Sequence, residues 1–281
     1  MAFDLGLVGK QTEEQALTYD WRTLATYALG IGAKKDELPY LYEGTAGGIR
    51  VYPTFAVVPA FGPSTQMLMS TGANLAMVVH GGQSIRIHRA LPPSGTIHTT
   101  ATLRGIYDMK RFASVVVDTR STVGGEPVFE TTWSIIVREA GSFGGPRPPG
   151  DDSPNVPKDR QPDFRVEEAT TPEQALLYRL SGDVNPLHAD PEFAQSVGFA
   201  QGPILHGLCT YGFVGRAVVK HACGGDPAKL RSFAAQFRKP VWPGDTIVTQ
   251  GWDLGGGKWV LSASVKERPD PVLTSAWAEI G

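Results

Sequence analysis

The stretch Gly141–Pro162, GSFGGPRPPGDDSPNVPKDRQP, constrains this chain more than any other feature. Proline withholds a backbone donor and glycine loses the most freedom on ordering. Only Phe143 and Val156 offer apolar surface, so the stretch has no core of its own and reads as a linker. The 281 residues therefore divide into a first half over residues 1–145, a linker over 146–162 and a second half over 163–281, each half of domain size.

The halves repeat each other. Arg89-Ala90-Leu91-Pro92-Pro93-Ser94-Gly95-Thr96-Ile97 parallels Lys239-Pro240-Val241-Trp242-Pro243-Gly244-Asp245-Thr246-Ile247 at a constant offset. Strand-forming runs follow in each: Ser114–Val117 and Val128–Val137, then Lys258–Val265 and Val272–Ile280. An internal duplication accounts for this better than chance similarity of two strand-turn segments. In the second half, Thr171-Pro172-Glu173-Gln174 has the form of a helix start, with Thr171 as N-cap and Gln174 placed for a capping box. After Pro203 the run ILHGLCTYGFVGRAVVKHA is apolar nearly all round and closes at Gly224-Gly225. A helix apolar on every face is a buried one, so an α+β architecture with a sheet wrapped around a helix is expected.

Composition removes several function classes. Twenty-six Lys+Arg against 28 Asp+Glu give a net charge of -2, which supplies no basic field for nucleic acid. No run approaches the ~20 apolar residues of a membrane helix. Two cysteines, Cys209 and Cys223, are too few for a disulfide framework. The start, with Asp4, lacks the form of a secretory signal, and the end, Trp277–Gly281, is not an SKL-type address, so a cytoplasmic protein is expected.

The chemistry-bearing segment is Tyr178-Arg179-Leu180-Ser181-Gly182-Asp183-Val184-Asn185-Pro186-Leu187-His188. Pro186 biases Asn185 away from helical angles, which makes Asn185 an N-cap and predicts a helix running to about Gly198. On an unbroken helix Asp183 and His188 would stand ~140° apart, whereas a break at Asn185-Pro186 lets them converge. A histidine in the first helical turn is favoured as the neutral imidazole by the helix dipole. Beside a carboxylate it forms an acid/base pair suited to activating one water. Taken alone, the same two residues also read as a turn aspartate and an interior histidine.

SGDVNPLHADPEFAQSVGFAQGPILHGLCTYG strongly resembles the signature of the hydratase 2 family, the MaoC-like (R)-specific 2-enoyl-CoA hydratases. His80-Gly81-Gly82-Gln83, Leu91-Pro92-Pro93, Ser142-Phe143-Gly144-Gly145 and Phe237-Arg238-Lys239-Pro240-Val241 occur in the order of the two-module members, so the resemblance spans about Trp21 to Ile280. It implies a double hot-dog, two antiparallel sheets each wrapped around a long central helix, and a homodimer. The first module would bind the acyl chain without a catalytic motif, Tyr27-Ala28-Leu29-Gly30 being the decayed counterpart of Tyr178-Arg179-Leu180-Ser181. It further implies Asp183 and His188 as the catalytic pair and the Gly207 N–H as oxyanion donor. His80, Gly81, Lys110, Asn185 and Phe237 would meet the substrate, an acyl-CoA thioester. Gly207 equally suits close packing in a glycine-dotted helix, and Arg238 and Lys239 suit either CoA phosphates or a solvated strand end. His206 reads as structural and Cys209 as core.

No cofactor and no metal are expected. Asp183, His188 and His206 are the conceivable ligand set, but paired Cys or His-x-x-x-His spacing is missing, as is a Gly-x-Gly-x-x-Gly opening. Two other functions fit a hot-dog chain: an acyl-CoA thioesterase, and a non-catalytic acyl-CoA-binding subunit of a heteromeric hydratase.

Overall fold

Alternating burial along the long strands, as in Gly95–Asp108 and Glu126–Arg138, turns one side chain in two toward an interior and calls for something to cover that face. The computed structural model describes residues 3–281, the side chain of Pro269 excepted. Its first half runs β1 (Gln15–Tyr19), α1 (Trp21–Gly30), α2 (Val57–Ser70), β2 (Val78–Ile87), β3 (Gly95–Asp108), β4 (Phe112–Val123) and β5 (Glu126–Arg138). The second runs β6 (Phe164–Ala169), α3 (Gln174–Tyr178), α4 (Pro191–Ser196), α5 (Gly207–His221), β7 (Leu230–Phe237), β8 (Thr246–Gly255), β9 (Lys258–Val265) and β10 (Arg268–Ile280). Helix α2 packs across β3 and β4, and α5 across β7 and β8.

This is the double hot-dog architecture, with its two sheets hydrogen-bonded edge to edge into one. The strand order is β1-β3-β4-β5-β2-β7-β10-β9-β8-β6, which reads the same from either end once the halves are equated. The join pairs β2 with β7 antiparallel, with Ser84 opposite Ala234 at its middle. Those two residues lie 150 apart, as do Arg89 and Lys239, and as do the first residues of α2 and α5. The repeat seen in the sequence is therefore an approximate two-fold axis through the seam.

Helix α5 is buried along Leu208–Val219 and lies against the first half. A Cβ on Gly212 would overlap Ile31, so only glycine allows that approach. Arg216 crosses the same interface: its Nε donates to the Ile31 carbonyl at 3.1 Å, Nη1 to Glu37 at 2.6 Å, and Nη2 to Glu168. The 139–163 stretch contains neither helix nor strand but is tied down along its length, at its end by Arg160, whose Nη2 donates to the Asp253 carbonyl at 2.7 Å. Asp108 accepts from the N–H groups of Ser142 and Gly144, both at 2.9 Å, and Asp151 accepts from Gln236 Nε2 at 2.8 Å and Ser275 Oγ at 2.7 Å.

Two predicted helix starts move. Helix α3 is first regular at Gln174, after a turn over residues 172–173, and one arm of the expected capping box forms, the Thr171 N–H donating at 3.4 Å to the side-chain oxygen of Gln174. Gln174 Nε2 donates to the Leu29 and Gly30 carbonyls at 3.1 and 2.7 Å, closing the C-terminus of α1. Helix α5 begins at Gly207 because the preceding residues are extended, with the Leu205 N–H donated to the Val241 carbonyl at 2.7 Å.

Candidate active site

Helix α3 passes into a single turn over Arg179–Ser181 and stops at Gly182, whose φ of 121° is open to glycine and strained for other residues. Asp183 follows, its carboxylate accepting the Asn185 N–H at 3.2 Å. Asn185 caps as expected, its side chain accepting the Leu187 N–H at 3.0 Å. The helix it starts, however, is one 3-10 turn, Pro186–His188, and does not reach Gly198. Asp190-Pro191 repeats the Asn185-Pro186 signal five residues on. Asp190 is extended and accepts the N–H groups of Glu192 and Phe193, starting α4 afresh.

This shortening changes why His188 is neutral. A three-residue turn has little dipole, so burial does the work: His188 is 8% exposed, and desolvation pulls its pKa below the ordinary value. The Ile204 carbonyl and the Asp183 charge oppose that shift in part. His188 Nδ1 donates to the Ile204 carbonyl at 2.8 Å. A carbonyl only accepts, so the proton of the neutral ring sits on Nδ1 and Nε2 carries a lone pair.

His206 lies behind this pair, 1% exposed. Its Nε2 donates to the Asp183 backbone carbonyl at 3.1 Å, and its ring stacks on His188 with centroids 3.7 Å apart and planes 25° apart. Burial, and then the neighbouring His188, press its pKa down to about 2. Ligand-type atoms of Asp183, His188 and His206 all fall within 4.8 Å of one another, so the proline-broken turn does bring Asp183 and His188 together. Stacked imidazoles send their in-plane lone pairs along neighbouring lines rather than to one point, which suits a hydrogen-bonded cluster better than a shared ion.

Asp183 and His188 open on a cavity of about 560 Å³ between the halves, walled by Gly207, Phe237, Leu208 and, from the first half, His80, Trp133, Phe61 and Leu68. Gly207 is the first residue of α5, where backbone N–H groups lack intrahelical partners and the dipole favours an anion. A Cβ there would stand 3.2 Å from the Phe237 ring. His80 stacks on Trp133 at 5.0 Å and leans on Phe237 at 4.8 Å. Its Nε2 donates to the Gly82 carbonyl at 3.0 Å, and burial presses its pKa to about 4.

Of the expected site residues, Asp183, His188, Gly207, Asn185, His80 and Phe237 line one cavity, and Arg238 and Lys239 stand on the same wall. Gly81 and Lys110 do not. Gly81 occupies a bulge in β2, where a Cβ would press on Ile136. Lys110 sits on the exposed β3–β4 turn at φ 65°, its N–H donated to Asp108 at 2.8 Å. Phe61, Leu68 and Trp133 escaped the sequence reading, since an apolar side chain on a cavity wall carries the same pattern as one in a core. Cys209 is core: its thiol meets the Gly30 carbonyl, and burial pushes its pKa well up.

Comparison with known proteins adds identity to this geometry. Residues 154–274 match the MaoC like domain, and residues 17–139 match the MFE-2 hydratase 2 N-terminal domain. The chain is 39% identical over 272 residues to 3-hydroxyacyl-thioester dehydratase Y of Mycobacterium tuberculosis, covering 94% of this chain and 92% of that protein. It is 38% identical over 287 residues to the peroxisomal enoyl-CoA hydratase 2 of Arabidopsis thaliana, covering 95% and 92%. The crystal structure of a MaoC-like dehydratase from Phytophthora capsici superposes with a TM-score of 0.90 at 34% identity, over 100% of this chain and 98% of that one.

Proposed function

The chain belongs to the MaoC-like, hydratase 2 family, and from that premise we propose that Asp183 and His188 add water reversibly across a trans-2-enoyl-CoA, giving (R)-3-hydroxyacyl-CoA. The protein is an enoyl-CoA hydratase of fatty acid metabolism. What supports the residue-level reading is one observation: a carboxylate and a neutral, Nε2-accepting imidazole meet on the wall of an apolar cavity beside the start of a buried helix.

The chemistry follows from those groups. The Asp183 carboxylate and His188 Nε2 both accept, so a water between them donates a proton to each and turns an oxygen lone pair outward. That oxygen bonds to the β-carbon, which is electrophilic through conjugation with the thioester. The π electrons pass to the thioester oxygen as an enolate, stabilised by the Gly207 N–H. One of the pair takes the water proton, and a proton from the pair reaches the α-carbon as the enolate collapses. Water is thereby added as OH to one carbon and H to the other. The acyl chain runs along Phe61, Leu68 and Trp133 of the first half, and Arg238 and Lys239 face the CoA end. The working unit in this reading is a cytoplasmic homodimer without cofactor or metal, which sedimentation and metal analysis of the purified protein test.

The deciding experiment follows a 2-enoyl-CoA in the ultraviolet. Loss of conjugated absorbance with no free thiol released, and an (R)-configured product on chiral chromatography, is the expected result. Thiol release would make the protein a thioesterase, and silence across acyl lengths would make it a binding subunit.

A further inference from the structure

Resting on the hydratase reading, we infer that His206 is a positioning residue that holds both members of the reacting pair from behind. It is not a member of the cavity wall, so it does not meet substrate. Its side-chain hydrogen bond and its nearest ring contact both go to the reacting residues: Nε2 donates to the backbone carbonyl of Asp183, and the ring stacks on His188. The first contact pins a loop that is otherwise loosely held. Val184 beside it is 63% exposed, and among the described residues the Asp183 carboxylate has only its own loop's Asn185 N–H for a partner. The second contact fixes the plane of His188, whose Nδ1 bond to Ile204 still leaves the ring free to tilt about that axis.

The tautomer also matters. With the proton of His206 on Nε2, Nδ1 is an acceptor, buried and without a partner among the described residues. A second proton on this ring would stand against His188 and the nearby Arg179, with no acceptor offered to it, and Tyr178, at 4.9 Å, is itself buried and uncharged. His206 thus remains a neutral spacer at working pH, and its bulk keeps water away from the back of His188. Its place as N-cap of α5, directly before Gly207, ties the oxyanion donor to the same anchor.

Two variants separate the contacts. His206→Phe keeps a ring against His188 and loses the donor to Asp183, whereas His206→Gln keeps a donor and loses the ring. A misplacement of reacting groups by ~1 Å costs on the order of a hundredfold. Each variant is therefore expected to lose about tenfold to a hundredfold in kcat, with KM within about twofold of wild type. In the Gln variant, water reaching His188 raises its pKa, so the acid limb of kcat/KM moves to higher pH. Thermal unfolding and circular dichroism establish the folded fraction. If the Phe variant does not accumulate folded, the Gln variant decides alone. Wild-type kcat in a folded variant, or a loss that tracks the folded fraction with the acid limb unmoved, overturns the inference. If Asp183→Asn and His188→Gln also keep hydration, the hydratase mechanism itself has failed. If those two lose it and the His206 variants do not, only the positioning role falls.

Discussion

The segment leading from α1 into the 3-10 turn Lys35–Tyr40 and the segment leading from α3 to His188 are the same design put to different uses. Tyr27 and Tyr178 are both buried and touch each other across the two-fold, with ring centroids 6.2 Å apart, while Leu29 and Leu180 both face outward. At the same offset Gly32 stands where the second half has Asp183, and Glu37 where it has His188. In the first half this stretch is consumed by packing. Ile31 is sealed over Gly212, and Glu37 accepts from Tyr52 Oη at 2.7 Å and from Arg216. In the second half it stays open to the cavity, and its polar groups are left with acceptors to spare. The helices differ in the same sense. Helix α5 starts at a glycine after an extended approach, whereas α2 continues a 3-10 turn, Pro53–Ala56, and starts at Val57 with its end buried. On the proposed mechanism, a shared scaffold becomes a reactive site where its loop is kept short of partners, and becomes core where partners are supplied.

The comparison is broken most directly at the reacting pair. Asp183→Asn and His188→Gln are each expected to lower kcat by about 10²–10⁴ while leaving thermal unfolding near wild type, as measured by steady-state hydration and calorimetry. A near-normal rate in either would make the two segments equivalent after all. Next comes the packed counterpart. Arg216→Leu leaves the partly buried Glu37 and Glu168 carboxylates without their cation, and should cost about 3 kcal/mol in denaturant unfolding. Smaller again is Gly212→Ala, whose methyl collides with Ile31; about 1–3 kcal/mol is expected, with kcat unchanged for the folded fraction.

The last effect is invisible at neutral pH. His80, His188 and His206 all have pKa values held below the ordinary histidine value of about 6.5. Below that pH the unfolded chain takes up protons that the folded chain refuses, so stability falls as pH drops, with the His80 contribution spent by about pH 4. Denaturation midpoints from pH 7 to 4 should decline, and replacing His80 with an apolar residue should flatten the slope. An unchanged slope would place that ring in water.

The second half was far more legible than the first because its signals are local. β9 spans Lys258–Val265 as expected, and a cap followed by proline marked the turn at Asn185. The same kind of signal at Asp190-Pro191 was there to read and cut the predicted helix short. Helix α2 was hidden by Pro59, Gly62 and Pro63, which intrinsic propensity counts against a helix, and tertiary burial overrides that preference. The stacking of His188 on His206 had no local signal at all, since the two rings arrive from separate elements and only the fold sets their distance. The edge-to-edge joining of two sheets was equally out of reach, because β2 carries nothing in its residues that selects β7 as a neighbour.

Carrying both halves on one chain, connected through residues 139–163, lets each take its own sequence, which the pairing of β2 with β7 alone would not. In an assembly of identical subunits every substitution arrives twice, so a residue that improves one copy must be tolerated in the other. On one polypeptide Val57 and Gly207 can differ at equivalent places, and the first half supplies cavity wall to the half that carries Asp183 and His188. Parting β2 from β7 would not give two independent units: each would present a bare strand margin, Val78–Ile87 or Leu230–Phe237, open to unwanted pairing.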